Sequence, residues 1–393
     1  MNLLCAKIVM GWAVASGSSS PPASPVLPQP QARASQSRTT QDKAESSKPR
    51  DREAALEAKR TQFIRTNAPR FWSFASAPES IEPLKDYVTF QGVIAGDPNL
   101  GNFAPSLVKT AGGRQEMRYV DIDFDDAGQG SFALNITLFA ANLKLMSEDV
   151  KLKEILEAYQ SGLEGEPAPL SPLVKDLLSL TVPDYEEKLD ELVSDKSEKG
   201  HFKFEAGSIE PYQGPYSHEE IAALFPSDKI LDLAIRRKKV GGSMRAQRIW
   251  ILTEAPNGKI KIMELKEVLA SALELFRPQK ALPLRLKDIY KNLWPGLSPE
   301  SYQVVQMSDQ RAFWLRRKSA KLIEAPYLIR NEDDLEHIRA LAIYDAHLMG
   351  KLDGAQEQGQ ALKKEIQKDP KKFREAIKKT MEKFLEQTKA SAI

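Results

Sequence analysis

Hydrophobic positions along the chain switch between strand-like runs and helix-like periods, with turn residues marking the changes. Tyr87 to Ala95 (YVTFQGVIA) is rich in β-forming residues and stops at Gly96-Asp97-Pro98, which predicts a strand running into a turn. Leu107 to Thr110 and Met117 to Phe124 read as two strands joined at Ala111-Gly112-Gly113-Arg114. Phe132 to Tyr159 has helical periodicity and divides into two helices. After a turn-rich break from Gly162 to Pro172, Leu173 to Ser194 is helical, with a stop expected at Pro183. His201 to Ser217 reads as loop. A second β-rich block then runs from Lys239-Val240 through Gly241-Gly242-Ser243 to Arg248–Thr253 (RIWILT) and Lys259–Leu265 (KIKIMEL). Asn257-Gly258 between the last two runs is a strong hairpin signal. Lys266 to Leu275 turns helical, and from Leu335 the chain is mostly helix, ending in a Lys-rich amphipathic segment over 361–389. Its Lys residues are balanced by Glu, which favours a plain surface helix over a membrane- or partner-binding one.

The N-terminal part has a different character. Ile8 to Trp12 has the makings of a very short apolar signal core, and Ala13-Val14-Ala15 resembles a small-x-small cleavage site. Against an export signal, the core is short and Lys7 abuts it, so residues 1–15 are read either as a signal or as a disordered start. Residues 16–50 are rich in Ser, Pro, Gln and Ala and are expected to be a disordered linker, because they cannot bury enough apolar surface to offset chain entropy. A charged helix is expected from about Arg52 to Arg65, at the start of a folded region spanning 51–393.

Composition narrows the function classes. The 56 Lys+Arg against 54 Asp+Glu give a formal net charge of +2, which leaves no nucleic-acid footprint over the whole chain. No apolar run approaches the roughly 18 residues of a membrane-spanning helix. One cysteine, Cys5, excludes an intrachain disulfide. The histidines (His201, His218, His337, His347) never take the i, i+4 spacing of a helical zinc pair. Without a G-x-S-x-G elbow, an H-E-x-x-H motif or a cysteine nucleophile in the folded region, a hydrolase has little support.

One constellation carries chemistry. Gly96-Asp97-Pro98-Asn99-Leu100-Gly101-Asn102-Phe103 follows a strand, and a hairpin later comes Ile122-Asp123-Phe124-Asp125-Asp126-Ala127-Gly128. Phosphoryl transfer needs a carboxylate for the attacking hydroxyl, plus an amide oxygen and a second carboxylate for Mg²⁺. An EF-hand reading fails, because counting from Asp121 puts Asp126 where Gly is required and Phe132 where Glu is required. On a strand Asp121, Asp123 and Asp125 would share one face, with Asp125 a possible helper.

These motifs resemble the kinase-like superfamily of aminoglycoside phosphotransferases and choline kinases, whose loop reads H-G-D-x-H-x-x-N and whose metal strand reads I-D-[FW]-[ED]-D-A-G. The wider likeness is to a bacterial branch known as a domain of unknown function, with G-D-x-H-x-x-N-F followed by N-D-F-D-E-A. That branch also has a G-x-G-S-x-G turn and an L-K-E-A strand end, matched here by Gly242-Ser243 and Leu265-Lys266-Glu267-Val268. The resemblance covers residues 60 to 350. It implies that Asp97 is the catalytic carboxylate, that Asn102 and Asp123 hold Mg²⁺, and that Lys266 with Gly241, Gly242 and Ser243 holds ATP. Glu274 is a candidate partner for Lys266, whereas Glu267 should face the other way. The glycine turn and lysine follow the acidic motifs, the reverse of ordinary kinases, so the implied fold is an α/β (α+β), two-lobed, kinase-like fold in circularly permuted order. The sheet lobe is expected from about 230–275, and the helical lobe from about 60–225 and 280–393.

Five positions depart from the branch. Asn99 replaces its histidine, Asn135 its loop-bracing aspartate, Leu138 its helix arginine, and Val240 and Arg245 its outer glycines. The expected function is therefore ATP- and Mg²⁺-dependent phosphoryl transfer to an unidentified small-molecule hydroxyl acceptor; the alternative is a catalytically impaired, pseudokinase-like binding or scaffold protein. ATP dependence would imply a cytoplasmic location, whereas a true export signal would favour the alternative. Arg236-Arg237-Lys238-Lys239 is read as a solvated basic run, with triphosphate attraction as the competing reading. His347 is read as a packing residue on an amphipathic helix.

Overall fold

A computed structural model of the chain describes residues 63–238, 242–298, 302–320 and 332–390. The candidate signal at 1–15, the linker at 16–50, most of the charged helix at 52–65, and Val240 and Gly241 lie outside those residues. The fold is mixed α/β, and a six-stranded antiparallel sheet is its largest β element.

The Asn257-Gly258 signal builds the centre of that sheet. Gly258 takes the left-handed φ of +79° that such a turn requires, and it joins β9 (Arg248–Glu254) to β10 (Ile260–Glu267). Around this hairpin the strand order is β11 (Gln303–Gln306), β12 (Ala312–Arg317), β10, β9, β8 (Lys229–Arg236) and β7 (Ile209–Pro211). The sheet therefore reaches beyond 230–275 at both ends. It draws β7 from a stretch read as loop and β11–β12 from the expected helical lobe, with Phe313–Arg317 of β12 paired to Met263–Glu267 of β10. Both faces are covered, which is why β9 is an unbroken apolar run. Ile249 and Ile251 join Phe313 and Leu315 on one face, against Ile221 of α6 (His218–Ala222); Trp250 and Leu252 join Phe202 on the other, against Leu192 and Val193 of α5 (Val182–Lys196). Pro183 does not stop a helix. It sits in the first turn of α5, where its missing N–H costs nothing, behind a capping box made by Thr181 and Asp184.

The second core is helical. The expected break within 132–159 separates α2 (Phe132–Met146) from α3 (Leu152–Glu164). α2 is buried on nearly every side, as its continuous apolar sequence requires, and it is surrounded by α1 (Asn67–Ala75), α3, α8 (Glu332–Gly354) and α10 (Pro370–Ala390). Helix α4 (Pro172–Ser179) precedes α5, α7 (Leu282–Leu293) follows the sheet hairpin, and α9 (Glu357–Lys368) lies between α8 and α10. No helix among the described residues is long and apolar enough to cross a membrane.

A short ribbon pairs β5 (Ser197–Glu198) with β6 (His201–Phe202), and two longer ribbons complete the β structure. β1 (Gln91–Ile94) pairs with β4 (Gly128–Ser131), and β2 (Phe103–Lys109) pairs with β3 (Gln115–Asp121). Helix α8 is tied to both. Asp345 accepts from the Tyr119 hydroxyl at 2.8 Å, and Gln356, just past the helix, bonds both the N–H and the carbonyl of Val93. Helix α8 is held in turn by a backbone-to-backbone crossing with α3: a Cβ at Gly350 would lie 2.0 Å from the Tyr159 carbonyl oxygen, and one at Gly162 2.1 Å from that of His347. His347 itself is a satisfied packing residue, its Nε2 lying 2.9 Å from the Glu166 carbonyl oxygen.

Gly350→Ala is expected to destabilise the protein by about 1–3 kcal/mol through overpacking of this crossing. Urea unfolding reads the loss, and an unchanged midpoint would contradict the close approach. A second prediction concerns Asp353, which is buried against the Tyr159 hydroxyl at 2.7 Å; burial pushes its carboxyl up to about 8, against the opposing effect of that hydrogen bond. In the unfolded chain the same carboxyl ionises near pH 4. As pH rises from about 4 to about 8 the unfolded state releases this proton first, so the wild type loses stability across that window. Asp353→Asn should remove this loss, gaining on the wild type by at most about 1.4 kcal/mol per pH unit. Thermal midpoints at pH 5 and pH 8 check this, and a pH-independent difference between the two proteins would contradict it.

Candidate active site

Chain reversal at each ribbon end delivers the acidic residues. In the β2–β3 ribbon Phe103 faces Asp121, so Asn102 lies beside Ile122, whose N–H donates to the Asn102 carbonyl at 2.8 Å. In the β1–β4 ribbon Ile94 faces Gly128, which brings Gly96 against Asp126. Gly96 has φ +77°, and a Cβ there would sit 2.0 Å from the Asp126 carbonyl oxygen, so only glycine fits. The loop after β1 and the loop after β3 thus meet, and they enclose a cavity of about 360 Å³, within the range of small-molecule sites. Asp97, Asn99, Asn102, Asp123, Asp125 and Asp126 line it together with Lys238 and Arg65. Its opposite wall is small and largely apolar, including Ala68, Pro69, Leu269 and Leu275.

Side-chain amides hold the Asp97 loop. The Asn135 Oδ1 accepts from the Gly96 N–H at 3.3 Å, and the Asn142 Nδ2 donates to the Pro98 carbonyl at 3.1 Å. Trp72 donates to the Gly96 carbonyl at 2.6 Å. Asn99 accepts from the Gly101 N–H at 3.0 Å and donates weakly to the Asp97 carboxylate at 3.3 Å. Asn102 donates its Nδ2 to the Asp97 carbonyl at 2.8 Å, so the atom it would offer a metal is Oδ1.

The acidic loop is anchored by Phe124, which is buried among Trp294, Tyr302 and Trp314 in edge and tilted ring contacts. This is the physical reason for an apolar ring between Asp123 and Asp125: it pins the loop while its neighbours turn elsewhere. The Asp125 carboxylate accepts from the Trp314 indole at 2.9 Å. The Asp126 carboxylate accepts from the Ala272 N–H at 2.5 Å, and its carbonyl from the Ser271 hydroxyl at 2.9 Å. Arg316 on β12 reaches the Ile122 carbonyl at 3.2 Å while forming a buried pair with Glu264 at 2.7 Å.

Lys266 is 1 % exposed and lies beneath the acidic loop, its Nζ 2.8 Å from Asp123 and 2.5 Å from Asp125. It does not pair with Glu274, which lines the cavity instead. Glu267 does face the other way: it accepts from the Gln247 N–H at 2.9 Å and lines a neighbouring polar cavity of about 520 Å³. Gly242 and Ser243 begin the 3₁₀ turn Gly242–Arg245, and Met244 and Arg245 of that turn line the neighbouring cavity.

Charge is unevenly compensated here. Burial pushes Asp123 up, but the charges of Lys266, Lys238 and Arg316 overcome it and hold its carboxyl well below the usual range. Burial, then the charges of Asp126 and Asp123, push Asp97 up to about 8, and burial pushes Asp126 up to about 7. A carboxylate that binds protons this tightly is a stronger base than an ordinary one. Asp97 Oδ1 and Asp121 Oδ2 are buried without hydrogen-bond partners.

Among the described residues no group of three His, Cys, Asp or Glu side chains is placed to hold a metal ion. Mg²⁺ does not need one, since it takes one or two carboxylates and completes its shell with water and phosphate oxygens. The oxygen-only donors, the excess negative charge and the orphaned carboxylate oxygen of Asp97 fit such a cation.

No family model, curated protein or solved structure matches the chain. Of the residues singled out in the sequence, Asp97, Asn102 and Asp123 share one cavity and Lys266 supports it from below. The residue undervalued in the sequence is Lys238, which lines this cavity and the neighbouring one; its basic run beside the glycine turn was the available signal.

Lys266→Met is expected to cost about 3 kcal/mol or more, because it strands two carboxylates that were neutralised by one buried cation. Chemical denaturation of the variant tests this, and wild-type stability would mean that the pairing does not hold the loop.

Proposed function

We propose that the chain is a kinase-like phosphotransferase that moves a phosphoryl group from Mg²⁺-bound ATP to a hydroxyl acceptor. The reading takes the six-stranded sheet as the smaller lobe and the helices as the larger, in permuted chain order. The convergence of Asp97, Asn102 and Asp123 on one cavity carries it. The apolar wall offers a surface for a nucleobase or the acceptor's carbon skeleton. Asn102 and Asp123 would hold Mg²⁺, which would neutralise charge on the transferring phosphates. Asp97 would accept the proton of the acceptor hydroxyl as its oxygen bonds to the γ-phosphorus; the bond from that phosphorus to the β,γ-bridging oxygen breaks, and ADP departs. Asn135 would keep the Asp97 loop in place through a neutral hydrogen bond where the resembled family uses a charge. Lys266 would fix Asp123 and Asp125 from beneath the cavity.

The competing reading, an impaired kinase-like binding or scaffold protein, is favoured by one observation: Lys266 is already neutralised by two carboxylates. Thermal unfolding of the full chain with and without Mg²⁺-ATP tests both. Nucleotide at a hundredfold excess over its dissociation constant should add about 2.7 kcal/mol of stability. Asp123→Ala should abolish the shift. Asp97→Asn should keep it while removing ATP turnover, which would support the catalytic reading. A wild-type shift with no transfer from ATP to water or to any of a panel of hydroxyl compounds would support the binding protein, and no shift at millimolar nucleotide would refute both nucleotide readings.

A further inference from the structure

The cation assigned by resemblance to the phosphates is not facing them. Lys266 has two carboxylates within 2.8 Å and is sealed from the cavity, so an entering polyphosphate meets Asp97, Asp123, Asp125 and Asp126 first. Another cation has to offset that repulsion. Two cationic side chains line the cavity, Arg65 and Lys238, and Arg65 already has a partner.

Lys238 has no hydrogen bond or ion pair among the described residues. It is half-buried, lies close enough to Asp123 to be influenced by its charge, and stands on the wall between the two cavities. Three arginines of the neighbouring cavity are, by contrast, already engaged. Arg236 donates to the Ser208 carbonyl at 2.8 Å, Arg237 pairs with Glu210 at 3.0 Å, and Arg311 pairs with Asp309 at 2.7 Å. Arg245, exposed on its 3₁₀ turn, lines the neighbouring cavity alone, whereas Lys238 is the cation that lines both it and the acidic site. Burial lowers the Lys238 ammonium to about 8, against the opposing charge of Asp123. Such a group lacks the ion pair that would offset its desolvation, and a phosphate would supply it.

We propose that Lys238, rather than Lys266, is the residue that binds the phosphate chain of the ligand, with the chain running from the Asp123 cavity toward the neighbouring one. This inference rests on the nucleotide reading above. Lys266 then serves to position Asp123 and Asp125.

Calorimetric titration of the full chain with ATP and with inorganic tripolyphosphate, both in Mg²⁺, tests it. Lys238→Ala is expected to weaken both ligands about tenfold or more, the size of one charge-assisted hydrogen bond. Lys238→Arg should recover much of that loss, whereas Lys238→Gln should not; a purely structural role would show no such charge dependence. Cooperative unfolding of the three variants in the absence of ligand should show that each is folded. Wild-type binding retained within twofold in Lys238→Ala would overturn the Lys238 assignment and leave the nucleotide reading intact. Absence of ATP and tripolyphosphate binding to the wild type would overturn both.

Discussion

A single buried ammonium group holds the acidic loop to the sheet. Four carboxylates crowd the turn between β3 and β4 and the loop after β1, and carboxylates removed from water at this spacing repel one another strongly. Lys266, on the central strand β10, neutralises two of them at once and so joins the sheet to the loop. Its neighbours complete the attachment. Trp314 on β12 binds Asp125, Arg316 binds the Ile122 carbonyl, and the Phe124 ring is clasped by three aromatic side chains. Asp97 and Asp126 are not neutralised by Lys266, and burial pushes both carboxyls up.

The rest of the scaffold is neutral. The Asp97 loop is fixed by Asn135, Asn142 and the Trp72 indole, none of which brings a formal charge. Neutral hydrogen bonds place the loop without adding to the field at Asp97, which is set by burial and by Asp126 and Asp123. Asn135 thus holds the loop by a neutral hydrogen bond.

Local signals in the sequence were easy to read, and distant ones were not. The Asn257-Gly258 hairpin, the Ala111–Arg114 turn and the division of 132–159 into two helices all depend on residues within a few positions of one another, and each is present. Asp97, Asn102 and Asp123 could be grouped because motif spacing stands in for three-dimensional proximity. Strand β7, from a Gly/Pro-rich stretch, and strands β11–β12 were missed because their places in the sheet depend on partners far along the chain. Pro183 was misread as a stop because its effect depends on whether it lies inside a helix or in its first turn, which Thr181 decides by capping. The partners of Lys266 were missed for a different reason: burial, invisible in sequence, sets it against Asp123 and Asp125 rather than Glu274.

The glycine contact between α3 and α8 constrains how this molecule can move. With backbones touching at Gly162 and Gly350, the two helices have no side-chain layer on which to slide. Helix α8 carries at one level the Asp345 bond to the β2–β3 ribbon, and its end leads to the Gln356 bond with the β1–β4 ribbon. It therefore acts as a ruler that sets the spacing of the two ribbons and so the width of the gap between Asp97 and Asp123. Opening the cleft by spreading the ribbons would require bending that ruler. Lys266, Trp314 and Arg316 tie β10 and β12 to the acidic loop as well, so the sheet and the acidic floor are also fixed to each other.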